Sequence, residues 1–142
     1  MAYMNQQRKQ ELAPAIKKVL KKYGMKGTIA VKNHMSLVVN IKEGVLDLLG
    51  VAQKHNDLVN EKRGMNYAGA VGNYLQVNQF YAAEWAREVG EEKVAKFYDE
   101  LLAAMKGDQW YDRSDAMTDY FDTAYYMDIN VGQWDKPYVL AA

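Results

Sequence analysis

The strongest constraint on the fold is an apolar stripe in the second half of the chain. Its members recur at spacings of 3, 1, 3, 1 and 3, which is the period of a helix with one buried face. They are Val94, Phe97, Tyr98, Leu101, Leu102 and Met105. Glu91 and Glu92 precede the stripe, and Lys106 and Gly107 follow it, which suits both ends of a helix dipole. Residues 91–106 therefore predict a helix that packs against another apolar layer.

A period of two marks the predicted strands. Residues 27–42 are rich in Val, Ile and Thr, and predict a β-hairpin that turns near Asn33-His34, since Asn tolerates positive φ. Residues 125–131 alternate, with Tyr125, Met127, Ile129 and Val131 on one face and Tyr126, Asp128 and Asn130 on the other. A further strand is predicted near 74–79, and "VLDLLG", residues 45–50, suggests a short one.

Three more helices are predicted, near residues 5–23, 80–89 and 115–123. Asn5 is a good N-cap and Gly24 a good stop for the first, although Pro14 predicts a kink or a later start. Residues 51–73 are compatible with either helix or loop. The expected fold is α+β: one domain, residues 1–142, with a small antiparallel or mixed sheet packed against helices.

Bulk composition narrows the class of protein. The chain has 142 residues, a net charge of zero and no cysteine, so disulfides and thiolate metal sites are excluded. Its start is polar, and no apolar run approaches the ~20 residues that span a bilayer, so we expect a cytoplasmic protein. Residues 1–63 hold 12 Lys and Arg against 5 Asp and Glu, whereas residues 64–142 hold 6 against 13. This split predicts opposite charged faces, which could pair two copies of the chain, or neutralisation within the fold.

The stretch "DAMTDYFDTAYYMDIN", residues 115–130, carries the most suggestive side chains. Asp115, Asp119 and Asp122 share one helical face, and could bind Mg²⁺ or Ca²⁺, imitate nucleic-acid phosphates or simply be solvated. The pattern lacks the spacing of a calcium loop. We predict a protein-binding surface that is acidic and aromatic, formed by Asp115, Asp119, Asp122, Tyr126, Asp128, Asn130 and Trp134, with no bound metal or cofactor.

The tail "GQWDKPYVL", residues 132–140, leaves two alternatives open. Trp134, Pro137 and Tyr138 either staple this segment to the core or form an exposed aromatic patch of the kind favoured in binding hot spots.

Other chemistries receive less support. Lys17, Lys18, Lys21 and Lys22 on the first helix suggest nucleic-acid binding, but no recognised motif accompanies them. There is no nucleophile elbow or phosphate loop, and His34 and His55, the two imidazoles, are interpreted as turn or surface residues. A metal-dependent enzyme built on the aspartates is the remaining alternative, and the sequence favours a protein without catalytic activity.

Several segments resemble a known family. "MTDYFD" at 117–122, "YYMDIN" at 125–130, "WDKPY" at 134–138 and the hairpin pieces "VKNH" and "VVNIKEG" resemble small uncharacterised proteins of tailed bacteriophages and prophages. In looser form they are similar to domains of large polyvalent phage proteins. The resemblance covers nearly the whole chain, but it transfers no functional residue. It implies a phage product that acts on a host or phage protein inside a bacterium, including one of an anti-phage defence.

Overall fold

The architecture is an α+β arrangement of one sheet and a layer of helices. The computed structural model describes residues 2–66, 68–114 and 123–141. Within those ranges the chain forms, in order, α1 Gln6–Lys22, β1 Met25–Lys32, β2 Ser36–Gly44, α2 Leu48–Arg63, β3 Leu75–Val77, α3 Ala82–Glu88, α4 Glu92–Lys106, β4 Tyr126–Val131 and β5 Val139–Leu140. The α+β prediction is confirmed.

The sheet is mixed, as its pairings show. Its order is β1-β2-β4-β3, and β5 pairs with the end of β2. The neighbours β1–β2 and β3–β4 are antiparallel, whereas β2–β4 and β2–β5 are parallel. The hairpin turns at Asn33 and His34, both at φ 55°, as predicted. β1 is therefore a long strand at one edge of the sheet, and β3 is a short strand at the other.

One face of the sheet packs on the helices. Alternate residues of β4, including Met127, Ile129 and Val131, join a core cluster to which all four helices of the described chain contribute. Phe97 and Leu101 of α4 are fully buried in that cluster. Val38 is also buried, yet it lies outside the cluster because it points to the opposite face. We call that opposite side the outer face; it carries Tyr126, Asp128 and Asn130, as the period-two pattern predicts.

Local capping explains where α1 begins and where α2 begins and ends. The Asn5 side chain accepts a 2.7 Å hydrogen bond from the Arg8 N–H, so α1 begins as predicted and Pro14 does not delay it. Asp47 caps α2 in the same way, through the Gly50 N–H at 3.0 Å, and Gly64 ends α2 at φ 65°.

One sequence prediction is corrected here, and one segment that the sequence left open is assigned. Residues 45–50 are not a strand, because the Asp47 cap starts α2 at Leu48. The ambiguous segment 51–73 is helix up to Arg63, and residues 64–66 and 68–73 lie outside regular elements. Most of the predicted helix 115–123 lies outside the described residues, and its last residue, Thr123, forms a bridge with Asp112 instead.

No helix in the described ranges is long and apolar enough to cross a membrane.

Candidate functional site: an outer-face surface and a histidine pocket

The predicted acidic and aromatic surface is only partly within the described chain. Asp115, Asp119 and Asp122 lie outside it. Tyr126, Asp128 and Asn130 share the outer face of β4, beside Ser36, Val38 and Asn40 of β2 respectively. The Asn130 amide donates to the Asn40 side-chain oxygen at 3.0 Å, which fixes this rung of the sheet. Tyr126 remains 47% exposed.

Trp134 is the most exposed large apolar side chain of this surface, at 80%. It occupies a two-residue turn between Gln133 and Lys136, whose backbones exchange hydrogen bonds of 2.8 and 3.0 Å. The turn is anchored on both sides. Before it, the Gly132 N–H donates to the Ile41 carbonyl at 2.8 Å; after it, the buried Tyr138 hydroxyl donates to the Leu46 carbonyl at 2.6 Å.

The two alternatives for the aromatic tail therefore apply to different residues. Tyr138 staples the segment to the core, and Trp134 is left in solvent. Gly132 is required for this arrangement because its φ is +69° and a Cβ there would lie 2.6 Å from the Tyr138 nitrogen.

A groove of about 310 Å³ lies beside the turn on the outer face. Thr28 and Lys42 line it from the sheet, and Gln133, Lys136 and Pro137 line it from the turn. Because Lys42, Lys136 and Asp128 are all part of this face, its described portion carries both signs of charge rather than a uniform acidic field. This differs from the uniformly acidic surface expected of a nucleic-acid mimic.

The four predicted lysines of α1 differ in whether they form an ion pair. Lys17, Lys18 and Lys21 are exposed. Lys22 forms a 2.5 Å ion pair with Glu100 of α4, and this contact raises the pKa of Lys22 while lowering the pKa of Glu100. All four predicted lysines are thus exposed to solvent, and Lys22 differs from the other three in its ion pair with Glu100.

The charge split between the two halves of the chain is partly neutralised within the helical layer. Besides Lys22–Glu100, Lys54 forms an ion pair with Glu91. Each pair joins a basic-half residue to an acidic-half residue, so of the two alternatives for the charge split neutralisation within the fold applies at these pairs.

Metal ligation has no candidate cluster in residues 2–66, 68–114 and 123–141. Asp112, which precedes the predicted aspartate helix, accepts hydrogen bonds from the Ser114 N–H at 3.0 Å and the Thr123 hydroxyl at 3.2 Å. The bonds from Ser114, foremost, and from Thr123 lower the pKa of Asp112. Asp112 thus acts as a local turn-forming acceptor.

His55 was predicted to be a surface residue, and this prediction is wrong. It is 8% exposed, its Nε2 lies 3.1 Å from a Glu88 oxygen, and its ring stacks on Trp85 with centroids 4.8 Å apart. Tyr81 stacks in turn on Trp85, with centroids 5.7 Å apart. The sequence gives no sign of this, because Glu88 and Trp85 are about 30 positions away along the chain.

The His55 ring borders a small apolar pocket of about 120 Å³. Most lining side chains are aliphatic, among them Leu48, Val51, Leu75 and Val77. Its volume corresponds to one aliphatic side chain, which is below the size of most small-molecule sites.

Side-chain amides on α2 form hydrogen bonds with the backbone of the loop that follows this helix, and Val71 of that loop lines the pocket. Asn60 bonds the Ala68 backbone through both its amide nitrogen (3.0 Å) and its oxygen (2.6 Å). Gln53 accepts from the Val71 N–H at 2.7 Å, and Asn56 donates to the Gly69 carbonyl at 2.9 Å. The polar side of α2 is thus used to fasten a loop.

The fold and these surfaces define a two-layer α+β protein with an exposed aromatic turn. Comparison of the chain with protein-family models, curated proteins and solved structures finds no match. The resemblance to small phage proteins therefore remains a prediction that rests on the quoted residues.

Proposed function

We propose that this chain is a non-enzymatic protein-binding protein, encoded by a phage and acting in the cytoplasm of a bacterial host. Its binding surface is the Trp134 turn together with the outer-face residues Tyr126, Asp128 and Asn130. The proposed partner is a host or phage protein, and a protein of an anti-phage defence is one form of it. Asp115, Asp119 and Asp122 extend this surface in the proposal.

The exposure of Trp134 on an anchored turn is the observation that carries the proposal. Exposure of the apolar indole surface to water is unfavourable, and Trp is, with Tyr and Arg, enriched in binding hot spots. The reciprocal Gln133–Lys136 hydrogen bonds and the Tyr138 staple order the turn before any partner arrives. Binding would therefore cost little additional conformational entropy.

The magnitude is sufficient for a hot spot. An aromatic side chain buries roughly 150–250 Å², which at ~25 cal/mol per Å² gives about 4–6 kcal/mol before the losses of association. A partner suited to this surface has an apolar cavity for the indole and a hydrogen-bond donor or basic group for Asp128.

The test is capture of partners from phage-infected or expressing bacteria with tagged protein. Trp134→Ala and Tyr126→Ala are expected to lose the same partner, each by tenfold or more. Met65→Ala is a matched control, because Met65 is 63% exposed but follows α2, away from the outer face. A partner retained by Trp134→Ala and Tyr126→Ala as well as by the control contradicts the proposal, as does the absence of any partner. Capture of the untagged chain by the tagged chain, lost in Trp134→Ala, would instead identify a homo-oligomer.

A second candidate, nucleic-acid binding, is favoured by the exposure of Lys17, Lys18 and Lys21 on one helix. A gel-shift assay at 50 and 200 mM salt tests it, because phosphate contacts weaken steeply with salt. A shift at low salt that disappears in a Lys17→Glu, Lys18→Glu, Lys21→Glu variant would support it. The absence of a shift at low salt removes it.

The metal-dependent enzyme alternative depends on Asp115, Asp119 and Asp122. Titration calorimetry with Mg²⁺, Mn²⁺ and Ca²⁺ addresses it directly, and the absence of binding heat for all three ions excludes it.

A further inference from the structure

The free edge of β1 is a second surface feature, and one residue of this strand, Thr28, also lines the groove beside the Trp134 turn. β1 is eight residues long and pairs with β2 on one side. The Lys32 carbonyl accepts from the Met35 N–H within the hairpin, so the backbone of Lys32 points toward β2. Because successive residues of a strand alternate in direction, the backbone groups of Gly27, Ile29 and Val31 point toward the free edge.

Within the described chain, no backbone group pairs with this edge. Such a row of N–H and C=O groups is a template for another strand. Short β3 at the opposite edge, with three residues, offers much less. The geometry therefore favours β1 as the place where the sheet can be extended.

Side chains along β1 define what the added strand would contain. Ile29 and Val31 point to the helix side and are half-buried against the core, so a neighbouring strand with apolar residues on that side would complete their burial. Lys26, Thr28 and Lys32 are exposed on the outer face, and on the β2 side Lys26 lies across from Glu43 whereas Lys32 lies across from Ser36. Opposite charges directly across two strands stabilise the pair, and like charges destabilise it.

Helix α1 adds positive charge near the same edge. Lys22 contacts Glu100 of α4 on one flank of α1, and at ~100° per residue Lys17 lies about 140° around the helix from Lys22. Lys17 is therefore on the flank of α1 turned away from α4, and α1 packs on β1.

We infer that the free edge of β1 binds an extended segment of a partner protein, in which apolar residues alternate with Asp or Glu. The partner strand adds to the sheet, its acidic residues face Lys26 and Lys32, and its apolar residues pack beside Ile29 and Val31. A second copy of β1 is disfavoured as the occupant, because antiparallel self-pairing about Ile29 would place Lys26 opposite Lys32. Edge lysines also discourage pairing with neutral strands, so the same residues give selectivity for an acidic strand.

The probe is a fluorescein-labelled, end-capped peptide of sequence VEVDIEV, with VKVKIKV as the charge-reversed comparison. Anisotropy titration is expected to detect binding of the acidic peptide and at least tenfold weaker binding of the basic one. The Lys26→Glu, Lys32→Glu double variant is expected to lose about tenfold in affinity for the acidic peptide. Lys93→Glu, Lys96→Glu on exposed positions of α4 makes the same change in net charge and should bind like the parent.

Hydrogen–deuterium exchange separates strand addition from simple charge attraction. On peptide binding, the amides of Ile29 and Val31 should exchange at least tenfold more slowly, whereas an electrostatic contact alone would not protect them. The inference is overturned if the acidic peptide does not bind, if the Lys26, Lys32 variant binds it equally well, or if these amides are not protected. RNA that binds in competition with the peptide, without protecting Ile29 and Val31, would also overturn it, in favour of a nucleic-acid site.

This inference does not depend on the Trp134 surface. Trp134→Ala should bind the acidic peptide like the parent, so failure of either proposal leaves the other testable.

Discussion

Relative to the parent, Tyr125→Phe is expected to be less stable at neutral pH and more stable at strongly alkaline pH. The buried Tyr125 hydroxyl, just before β4, lies 2.5 Å from the Met105 carbonyl oxygen and 2.8 Å from that of Lys106, at the end of α4. Phenylalanine preserves the ring and removes this bifurcated hydrogen bond. We expect the free energy of unfolding at pH 7 to fall by about 1–1.5 kcal/mol. That corresponds to a decrease in Tm of about 3–6 °C.

Alkaline pH lowers the stability that Tyr125 gives the parent, because burial raises the pKa of Tyr125 to about 12. In the unfolded chain the phenol has its ordinary pKa of about 10. The folded state therefore retains a proton that the unfolded state loses, and this stabilisation is fully present below pH ~10 and is lost as the pH rises through ~12. At ~1.36 kcal/mol per pH unit, the loss is about 1.4 kcal/mol at pH 11 and approaches ~2.7 kcal/mol above pH 12.

Urea unfolding followed by tryptophan fluorescence at pH 7, 9.5, 10.5 and 11.5 measures both effects. Subtracting the parent from Tyr125→Phe cancels the titration of the lysines and the other tyrosines. The variant should be less stable at pH 7, equal near pH 11 and more stable at pH 11.5. A difference that stays constant from pH 7 to 11.5 would refute the assignment of a buried phenol. The half-exposed Tyr74→Phe is the control and should equal the parent throughout.

Three other substitutions test the fold. Gly27→Ala should lower the free energy of unfolding by about 2–4 kcal/mol, because the added Cβ would lie 2.3 Å from the Asn40 carbonyl oxygen. The control Gly72→Ala, whose Cβ meets open space, should have little effect, and equal urea midpoints for the two variants would contradict the close packing at Gly27. His34→Gly should raise the stability by about 0.5 kcal/mol, because His34 has φ 55°; a decrease in Tm would argue against strain in the turn. Asn60→Ala removes both bonds to Ala68, so the Ala68 amide should exchange about tenfold faster; an unchanged rate would show that the loop is held elsewhere.

Elements with a strong local period were predictable from sequence. The stripe from Val94 to Met105 and the alternation from Tyr125 to Val131 each repeat over enough residues to fix both the type of element and its buried face. Asn5 fixed the start of α1 because a capping residue acts on its own helix.

Elements defined by distant partners could not be predicted in the same way. The buried residues of α2 are few, Leu48, Val51 and His55, and its amides bond a loop rather than water, so its apolar period is weak. β5 is two residues long and exists through pairing with Glu43 and Gly44. The burial of His55 depends on α3, which the chain reaches only after β3.

Contacts between residues that are distant in sequence also determine how charge is distributed over the surface of the fold. Composition alone suggests a basic half that could attract nucleic acid and an acidic half that could attract something basic. The surface ion pairs Lys22–Glu100 and Lys54–Glu91 cancel part of that contrast on the helical side of the fold. The lysines of β1 are on the sheet, where no described acidic strand lies at the free edge. Lys26, which lies across from Glu43, and Lys32, which lies across from Ser36, thus stand beside unpaired backbone groups, and the proposed acidic strand would contact both the charges and the backbone. A flexible polyanion would pair with the lysines but would not form hydrogen bonds with the β1 backbone. Binding that survives in 500 mM salt would therefore indicate the backbone pairing that distinguishes a strand from nucleic acid.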